Sequence, residues 1–429
     1  MKKKYRIILY TSIFLLCVVA SIILVVKKSN SVYEEESKPK VVKHKSMLSM
    51  NLEQTAGAGD YKTVTQSKWP TEGYKFNAEL SRCENGSTLS WDDTKKAVIV
   101  SGNLSDKCYV YFDIYQPTLA EYIKSQYTGT QGENNIYYHD SDLANGAGDN
   151  SYRYAGANPN NFVCFGTTES PCPTDNLYRI IGVFGENYHG VTGKQLVKLI
   201  KYDYMTTDEL GTDGDYSQTY KEWGMDSTYK GTYGDGERIG VYYWNYKATG
   251  SATNTWSTSL LNKTNLNTNF INNIGTTWAN KIATVTWKVG GNTWANIGTK
   301  TSSVAYTNEI TNPVTTNTTD NATTYSAKIG LMYVSDYGFA ASPDAWTLTM
   351  SSYNNTTATN NNWMYMGLYE WTISRYADYS YFAFFVYYDG NVGGYGVNGD
   401  RGVRASFNLE SSVSYVSGSG SMSDPIVIN

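Results

Sequence analysis

The alternation of apolar and polar residues predicts a small β module over residues 64–114. Tyr74 and Phe76 alternate with polar neighbours, and the runs 97–100 and 109–112 consist mostly of β-branched and aromatic residues. Such runs are typical of strands, because these side chains pack well on a pleated surface. About fifty residues bury too little apolar surface to be comfortably stable alone, so the module needs a further source of stability.

Beyond residue 115 the pattern predicts a larger α+β domain that runs to residue 429. Thr118 and Glu121 have the spacing of a capping box, and the apolar residues that follow indicate a short amphipathic helix through Tyr127. Further strands and helices are predicted at 178–184, 195–202 and 260–274. Polar stretches rich in Gly, Asn and Asp separate these elements, so long loops are expected between them.

The N-terminal segment predicts one transmembrane helix. The uncharged run 7–26 is long enough to span a bilayer, which takes about 20 residues. A cleaved signal peptide is the alternative, but the apolar run continues past Ala20, where cleavage would be expected. Residues 1–28 are therefore assigned to a cytoplasmic tip and membrane anchor, and the hydrophilic stretch 29–63 to a flexible stalk. This predicts a single-pass protein of the cell membrane with an extracellular C-terminal domain.

The charge of the chain argues against nucleic acid as a partner. The formal net charge is −4, and removing the six basic residues of the N-terminal leader, which holds no acidic ones, gives −10. So acidic a surface repels a phosphate backbone.

Four of the five cysteines form two local pairs, Cys83 with Cys108 and Cys164 with Cys172. Local pairing is the simplest of three possible connectivities. A zinc site is the alternative, but CxxC spacings are absent and the three histidines are scattered, so no metal is predicted. Disulfides also agree with an exported domain, and the first pair would clip the small β module.

The segment 376–401 is predicted to form a binding face. It consists almost wholly of Tyr, Phe, Gly, Asp and Asn, the mixture that adaptable recognition surfaces use, because Tyr provides contact area at low entropic cost. Strand alternation places Phe384 and Val386 toward the core and leaves the opposite set exposed. The candidate ligand-binding residues are Tyr376, Asp378, Tyr379, Tyr381, Phe382, Phe385, Tyr387, Asn391, Tyr395, Asn398, Asp400 and Arg401.

Five short stretches in order, at 176–184, 256–262, 327–332, 370–375 and 402–409, carry a family resemblance. They include Asn-Leu-Tyr-Arg-Ile-Ile-Gly-Val-Phe, Glu-Trp-Thr-Ile-Ser-Arg and Gly-Val-Arg-Ala-Ser-Phe-Asn-Leu. This order resembles bacterial surface domains of the C-type-lectin-like fold, a group that also contains the formylglycine-generating, sulfatase-modifying enzymes. The resemblance covers about residues 115–429.

The resemblance implies binding and argues against catalysis. Sulfatase-modifying enzymes use a reactive cysteine pair late in the fold, whereas no cysteine follows Cys172. The Glu-Pro-Asn and Gln-Pro-Asp triplets of calcium-dependent lectins do not occur either, and only Trp244-Asn245 remains of their Trp-Asn-Asp triplet. No cofactor is therefore expected. In the family the ligand face would follow the strand at 370–375, where the segment 376–401 lies.

Some members of this fold class are diversified by a retroelement that mutates adenines. That process converts Asn codons to many others but never to Lys, Gln, Glu, Trp or Met. Residues 376–409 contain none of these five, although residues 136–168 lack them too. Diversification of the terminal segment is thus a hypothesis that its composition and placement allow.

These observations predict a membrane-anchored surface receptor or adhesin that binds a protein or glycan on another cell or phage. Two alternatives remain open. One is a structural module of the cell envelope without a specific ligand. The other is a carbohydrate-active enzyme, because two carboxylates suffice for glycoside hydrolysis and Asp336, Asp344 and Glu370 could supply them.

Overall fold

The chain divides into two compact units, Met1–Gln116 and Pro117–Asn429. The computed structural model describes the following residues: 48–65, 68–70, 73–103, 105–212, 216–219, 229–232, 239–247, 251–290, 292–313 and 323–429. The predicted membrane helix at 7–26 and the first part of the predicted stalk lie outside them. The division falls within two residues of the domain boundary expected from the sequence.

The described residues of the first unit form a β module of six strands. These are β1 Leu48–Glu53, β2 Tyr61–Val64, β3 Tyr74–Cys83, β4 Thr88–Asp92, β5 Ala97–Ser101 and β6 Cys108–Ile114. Four of them form a sheet in the order β2-β1-β6-β3, and β4 pairs with β5. Met50, Leu52, Val110 and Phe112 form its buried core together with Val98.

The flexible stalk predicted for residues 29–63 is wrong from Leu48 onward. Strand β1 lies inside the sheet, parallel to β6 and antiparallel to β2. Its sequence, Leu-Ser-Met-Asn-Leu-Glu, alternates apolar and polar residues, and Met50 and Leu52 are buried. The alternation is only six residues long and lies in a polar stretch, so the composition of that stretch does not indicate a strand.

The second unit holds seventeen strands among its described residues. They are β7 Ile136–His139, β8 Ser151–Tyr154, β9 Phe162–Cys164, β10 Leu177–Phe184, β11 Leu196–Lys201, β12 Tyr216–Thr219, β13 Gly240–Tyr243, β14 Val285–Lys288, β15 Thr324–Ala327, β16 Ile329–Gly330, β17 Glu370–Arg375, β18 Phe382–Val386, β19 Val392–Gly396, β20 Asp400–Gly402, β21 Ser406–Asn408, β22 Tyr415–Ser417 and β23 Val427–Ile428.

Its helices are short. The α-helices of the described residues are α1 Leu119–Ser125, α2 Glu186–His189, α3 Thr207–Leu210, α4 Ile271–Ala279, α5 Trp294–Thr299, α6 Ser302–Tyr306, α7 Val334–Ala340 and α8 Thr356–Thr359. Two π-helices, Leu261–Phe270 and Thr307–Thr311, precede α4 and follow α6. Single 3₁₀ turns occur at Glu133–Asn135, Thr174–Asn176, Trp256–Thr258, Pro343–Ala345 and Met350–Ser352.

Two large sheets organise this unit. One has the order β16-β21-β11-β10-β8-β7, with β9 also paired to β10. The other has the order β12-β13-β20-β17-β18-β19. Every residue of β10 and of β17 is buried, so both strands lie in the interior, where covered faces favour continuous apolar runs.

The predicted α+β class is wrong, because the protein is mainly β. Strands hold 35% of the residues and helices 22%. The stretch 129–161, one of the polar stretches in which a long loop is expected, contains β7 and β8, whose short Tyr-rich sequences lack the apolar runs that mark long strands. The structure does not support the predicted single-pass membrane localisation either: among the described residues, which do not include 7–26, no helix is long and apolar enough to cross a bilayer.

Both predicted disulfides are confirmed. Cys83 of β3 and Cys108 of β6 face each other in the register of the first sheet and are bonded. Cys164, at the end of β9, is bonded to Cys172. The first bridge therefore links two strands that sheet hydrogen bonds already hold together, whereas the second ties the end of β9 to the loop that follows it.

A buried ionic cluster lies at the centre of the second unit. The Asp336 carboxylate accepts hydrogen bonds from Lys198 Nζ at 2.7 Å, from the Tyr188 hydroxyl at 2.6 Å and from the Tyr333 backbone N–H at 3.0 Å. Both charged side chains are completely buried. Burial lowers the pKa of Lys198 to about 8 against the opposing effect of Asp336. Arg153, paired with Asp149 at 2.7 Å, lies 3.8 Å from the same carboxylate.

A second buried acid, Glu309, lies beside this cluster without a cation. Its carboxylate accepts hydrogen bonds from the backbone N–H groups of Val334 at 3.2 Å and Ser335 at 3.0 Å, and contacts the Ser374 hydroxyl. No ion pair joins it to a basic group in the described part of the chain. Burial raises the pKa of Glu309 to about 7, although these hydrogen bonds oppose the shift.

Candidate functional site

The predicted binding segment lies on strands β18, β19 and β20 at one end of the six-stranded sheet. β18 pairs antiparallel with β17 and with β19. Successive side chains of a strand point to opposite faces, and partners across a ladder share a face. Phe385 therefore shares its face with Tyr387 and Tyr395, whereas Phe382 and Phe384 lie on the other.

This alternation separates the aromatic side chains of the segment into two groups. The first, which we call the Tyr379 stack, consists of Tyr376, Tyr379, Tyr381 and Phe382. The ring centroids of Tyr379 and Tyr381 are both about 5 Å from that of Phe382, at 5.0 and 4.7 Å. The Tyr376 ring packs on Phe384 at 4.2 Å. These residues follow β17 and open β18.

The second group, which we call the Arg401 cluster, consists of Tyr369, Phe385, Tyr387, Tyr395 and Arg401. The Arg401 guanidinium carbon lies 4.6 Å from the Phe385 ring centroid, 4.7 Å from that of Tyr395 and 4.8 Å from that of Tyr369. Such distances are those of cation–π interactions. Phe385 lies 4.3 Å from Tyr387 and forms the floor of the cluster.

Arg401 is held by rings and not by a carboxylate. Its Nη1 donates to the Asp400 carbonyl at 2.6 Å, and its Nε has no hydrogen-bond partner in the described structure. No ion pair between Arg401 and a described acid occurs. Among the described residues, the Arg401 guanidinium thus contacts aromatic rings and one carbonyl.

Two of the predicted ligand-binding residues are wrong, because they are buried. Phe385 is 0% exposed, covered by Trp371, Tyr387 and Arg401 on its own face. Tyr376 is 8% exposed, and its ring lies 5.4 Å from that of Phe382. The sequence predicts one solvent-exposed face of β18, but Phe384 and Phe385 are both completely buried, so both faces of this strand are covered.

The remaining predicted residues are accessible to different degrees. Tyr379 and Tyr381 are 47% and 39% exposed, and Tyr395 is 50% exposed. Asp378 and Asn398 are exposed as well. Half-buried are Phe382, Tyr387, Asn391, Asp400 and Arg401.

Sequence reasoning missed Tyr369 and Tyr388. Tyr369 precedes β17 and lies against Arg401. Tyr388 is 40% exposed, and its ring packs edge-on against the Tyr369 ring, with 5.4 Å between the centroids. Tyr388 was discoverable, because it follows Tyr387 in the turn between β18 and β19. Tyr369 gave no local signal, since only the pairing of β17 with β20 brings it beside Arg401.

The acids considered for glycoside hydrolysis are not gathered at an open site. Asp336 belongs to the buried ionic cluster. Glu370 is buried and bonded through both oxygens to Arg404, at 2.8 and 2.9 Å. Asp344 is exposed on a 3₁₀ turn. Among the described residues, no group of three or more His, Cys, Asp or Glu side chains is placed to hold a metal ion.

Comparison with known proteins adds no relative. No family model matches the chain, and no curated protein and no solved structure is similar to it. The resemblance to C-type-lectin-like surface domains therefore stays a prediction from the five sequence stretches, and function has to be argued from the aromatic surface itself.

Proposed function

We propose that this protein is a binding protein that recognises a partner protein through the Arg401 cluster. The observation that carries the proposal is the position of the Arg401 guanidinium among the rings of Tyr369, Phe385 and Tyr395. The Tyr395 side chain is half-exposed. Tyr and Arg are enriched among the residues that dominate binding energy at protein interfaces. A partner that covers the cluster would find these side chains already held in place.

Rigidity supports this choice over the Tyr379 stack. Arg401 and Tyr395 lie on strands whose hydrogen-bond register is fixed, and Phe385 fills the space beneath them. Side chains ordered before binding lose less conformational entropy when a partner arrives. Tyr379 and Tyr381, by contrast, lie in the connection between β17 and β18.

Replacing Tyr395 with Ser is expected to weaken partner binding about 30-fold, the loss of about 2 kcal/mol typical of a central interface residue. The melting temperature should stay nearly constant, because half of the ring is already exposed. The partner protein is captured with the unaltered full chain and purified. Its dissociation constant is then measured with the unaltered chain and with Tyr395→Ser.

Tyr379→Ser is the matched control, since Tyr379 has similar exposure but belongs to the other group. Partner binding should survive this change. A loss with Tyr379→Ser and none with Tyr395→Ser would refute the proposed face. If the full chain captures a glycan and not a protein, the proposed kind of partner is wrong, even if the Arg401 cluster is the surface that binds it.

The diversification hypothesis acquires a structural expectation. Variants of the gene from the source population should change exposed positions such as Tyr379, Tyr381, Tyr395 and Asn398, and should keep Phe384 and Phe385, which fill the core. Deep sequencing of the segment encoding residues 376–409 measures this. Sparse changes spread evenly over buried and exposed positions would argue against a diversified receptor.

A further inference from the structure

A cleft of about 460 Å³ opens on the second unit, and none of the residues assigned to binding above lines it. That size is within the range of ligand pockets, about 300–1,000 Å³. Its wall comes from six parts of the chain. They are β9 with the stretch before it, strand β10, Tyr202 after β11, the segment with Lys230, the stretch between α8 and β17, and the C-terminal turn before β23. The fold brings together polar and aromatic side chains that are far apart in sequence.

Arg179 of β10 forms the base of the cleft. Its guanidinium carbon lies between two rings, 4.3 Å from the Phe162 centroid and 4.7 Å from that of Trp363. It donates to Asn161 Oδ1 at 2.7 Å, to the Pro159 carbonyl at 3.0 Å and to the Trp363 carbonyl at 3.5 Å. A guanidinium has five N–H donors, so three bonds leave two for a ligand.

The positive charge of Arg179 has no counter-ion among the described residues. The side chain is 6% exposed, and its partners are neutral oxygens and rings. Burial is the main reason that the pKa of Arg179 falls to about 9, and nearby Arg404 lowers it further. The group therefore stays charged at neutral pH, and a buried charge without a partner is costly.

A second cation lines the same cleft. Lys230 Nζ lies 4.3 Å from the Tyr365 ring centroid and donates to the Thr359 carbonyl at 3.2 Å. None of the described residues that line the cleft is an Asp or Glu. Two cations and no acid among these residues make the interior of the cleft attractive to an anion.

The rim offers groups suited to hydroxyls. Asn158, Asn160 and Asn360 are exposed, and their side-chain amides have no hydrogen bond to any part of the chain that the structure describes. Met366 and Met422 supply apolar surface. Amides that both donate and accept, beside apolar patches, match a polar ring with hydroxyl groups.

We infer that this cleft is a binding site for a small oxyanion carried on a hydroxylated ligand, such as the carboxylate of an acidic sugar. Arg179 binds the oxyanion with its two remaining N–H groups, in the geometry that favours carboxylate or phosphate. Lys230 adds a second charge, and the amides of the rim contact the hydroxyls. A free acidic sugar, an acidic sugar within a longer chain and a simple anion could all make the interaction with Arg179.

Calorimetric titration of the full chain with glucuronate, glucose, acetate and phosphate tests the inference. Glucuronate is expected to bind and glucose not to bind. Acetate or phosphate binding as tightly as glucuronate would support the oxyanion site with a simple anion as its ligand. Tighter glucuronate binding would support the acidic sugar.

Two variants at the rim test the site without disturbing the core. Lys230→Gln should weaken glucuronate binding at least about fivefold, and Asn360→Asp, which adds a negative charge, about tenfold. Lys263→Gln and Asn354→Asp, at exposed positions outside the cleft, are the matched controls. Arg179→Lys should abolish glucuronate binding. Because Arg179 is buried, this result counts only if the variant has the same melting temperature as the unaltered chain.

Glucose binding as tightly as glucuronate, or equal glucuronate affinity in Lys230→Gln and Asn360→Asp, would overturn the inference. The outcome is independent of the partner protein proposed above. Tyr395→Ser should leave glucuronate binding unchanged, and Lys230→Gln should leave binding of the partner protein unchanged.

Discussion

Replacing Asp336 with Ala is expected to destabilise the second unit by about 3–5 kcal/mol. Without this carboxylate, Lys198 is a completely buried ammonium whose remaining hydrogen bond goes to the Tyr188 hydroxyl at 2.7 Å. The Tyr333 N–H also loses its acceptor. Scanning calorimetry of the full chain should show the transition of this unit lowered by about 10 °C.

Asp344→Ala is the control, because Asp344 is an exposed acid eight residues further along the chain. It should change the melting temperature by less than about 1 °C. Adding Lys198→Met to Asp336→Ala should recover part of the loss, since the uncompensated charge is then gone. If Asp336→Ala alone had no effect, the ionic cluster would not stabilise the fold.

Glu309 is expected to make the second unit less stable as the pH rises from about 4.5 to 7. The ordinary pKa of its carboxyl is 4.5, and burial raises the folded-state pKa to about 7. Below pH 4.5 the group is protonated in both states. Between the two values only the unfolded chain releases the proton, so stability falls by about 3 kcal/mol and then stays constant.

Glu309→Gln should remove this dependence. The amide carries no charge, but its NH2 group replaces one of the two oxygens that accept from the Val334 and Ser335 N–H groups, which lowers stability by the same amount at every pH. Relative to the unaltered chain, the variant should therefore gain about 3 kcal/mol between pH 4 and pH 8. The difference between the two chains is the quantity to measure. Buried His139, whose pKa is well below its usual value, contributes in the opposite direction, since its stabilising effect is lost as the pH falls.

Glu410→Gln, at an exposed acid, controls for the change of net charge and should follow the unaltered chain at both pH values. Parallel pH profiles for the unaltered chain and Glu309→Gln would mean that the Glu309 carboxyl titrates normally in the folded protein.

Local signals in the sequence predicted local structure well. The capping box of Thr118 and Glu121 forms with both of its hydrogen bonds and opens α1. The apolar runs at β10 and β11 are confirmed within two residues. The disulfides followed from spacing. In each case the determining interactions lie within a few residues or follow the period of one strand.

What failed depends on contacts between distant segments. Alternation in β18 correctly separated Phe384 from Phe385, but only the neighbouring strands show that both faces are covered. Polar residues in the core were also unpredictable. No local pattern marks Lys198 and Asp336 as a buried pair, because 138 positions separate them.

The candidate sites show the same limit. Tyr395 and Arg401 were identified from composition, yet the rings around Arg401 come from β18, β19 and the residue before β17. Arg179 stood in a recognised motif, but nothing local indicated that Phe162 and Trp363 would enclose it.

Strand β1 determines where this chain can be shortened. It supplies the inner strand between β2 and β6, so a fragment that starts at residue 64 would leave one side of β6 without its hydrogen-bonding neighbour. Unpaired strand edges invite intermolecular pairing. Any fragment meant to isolate the first unit in soluble form therefore has to begin before Leu48, inside the stretch whose composition suggested a dispensable linker.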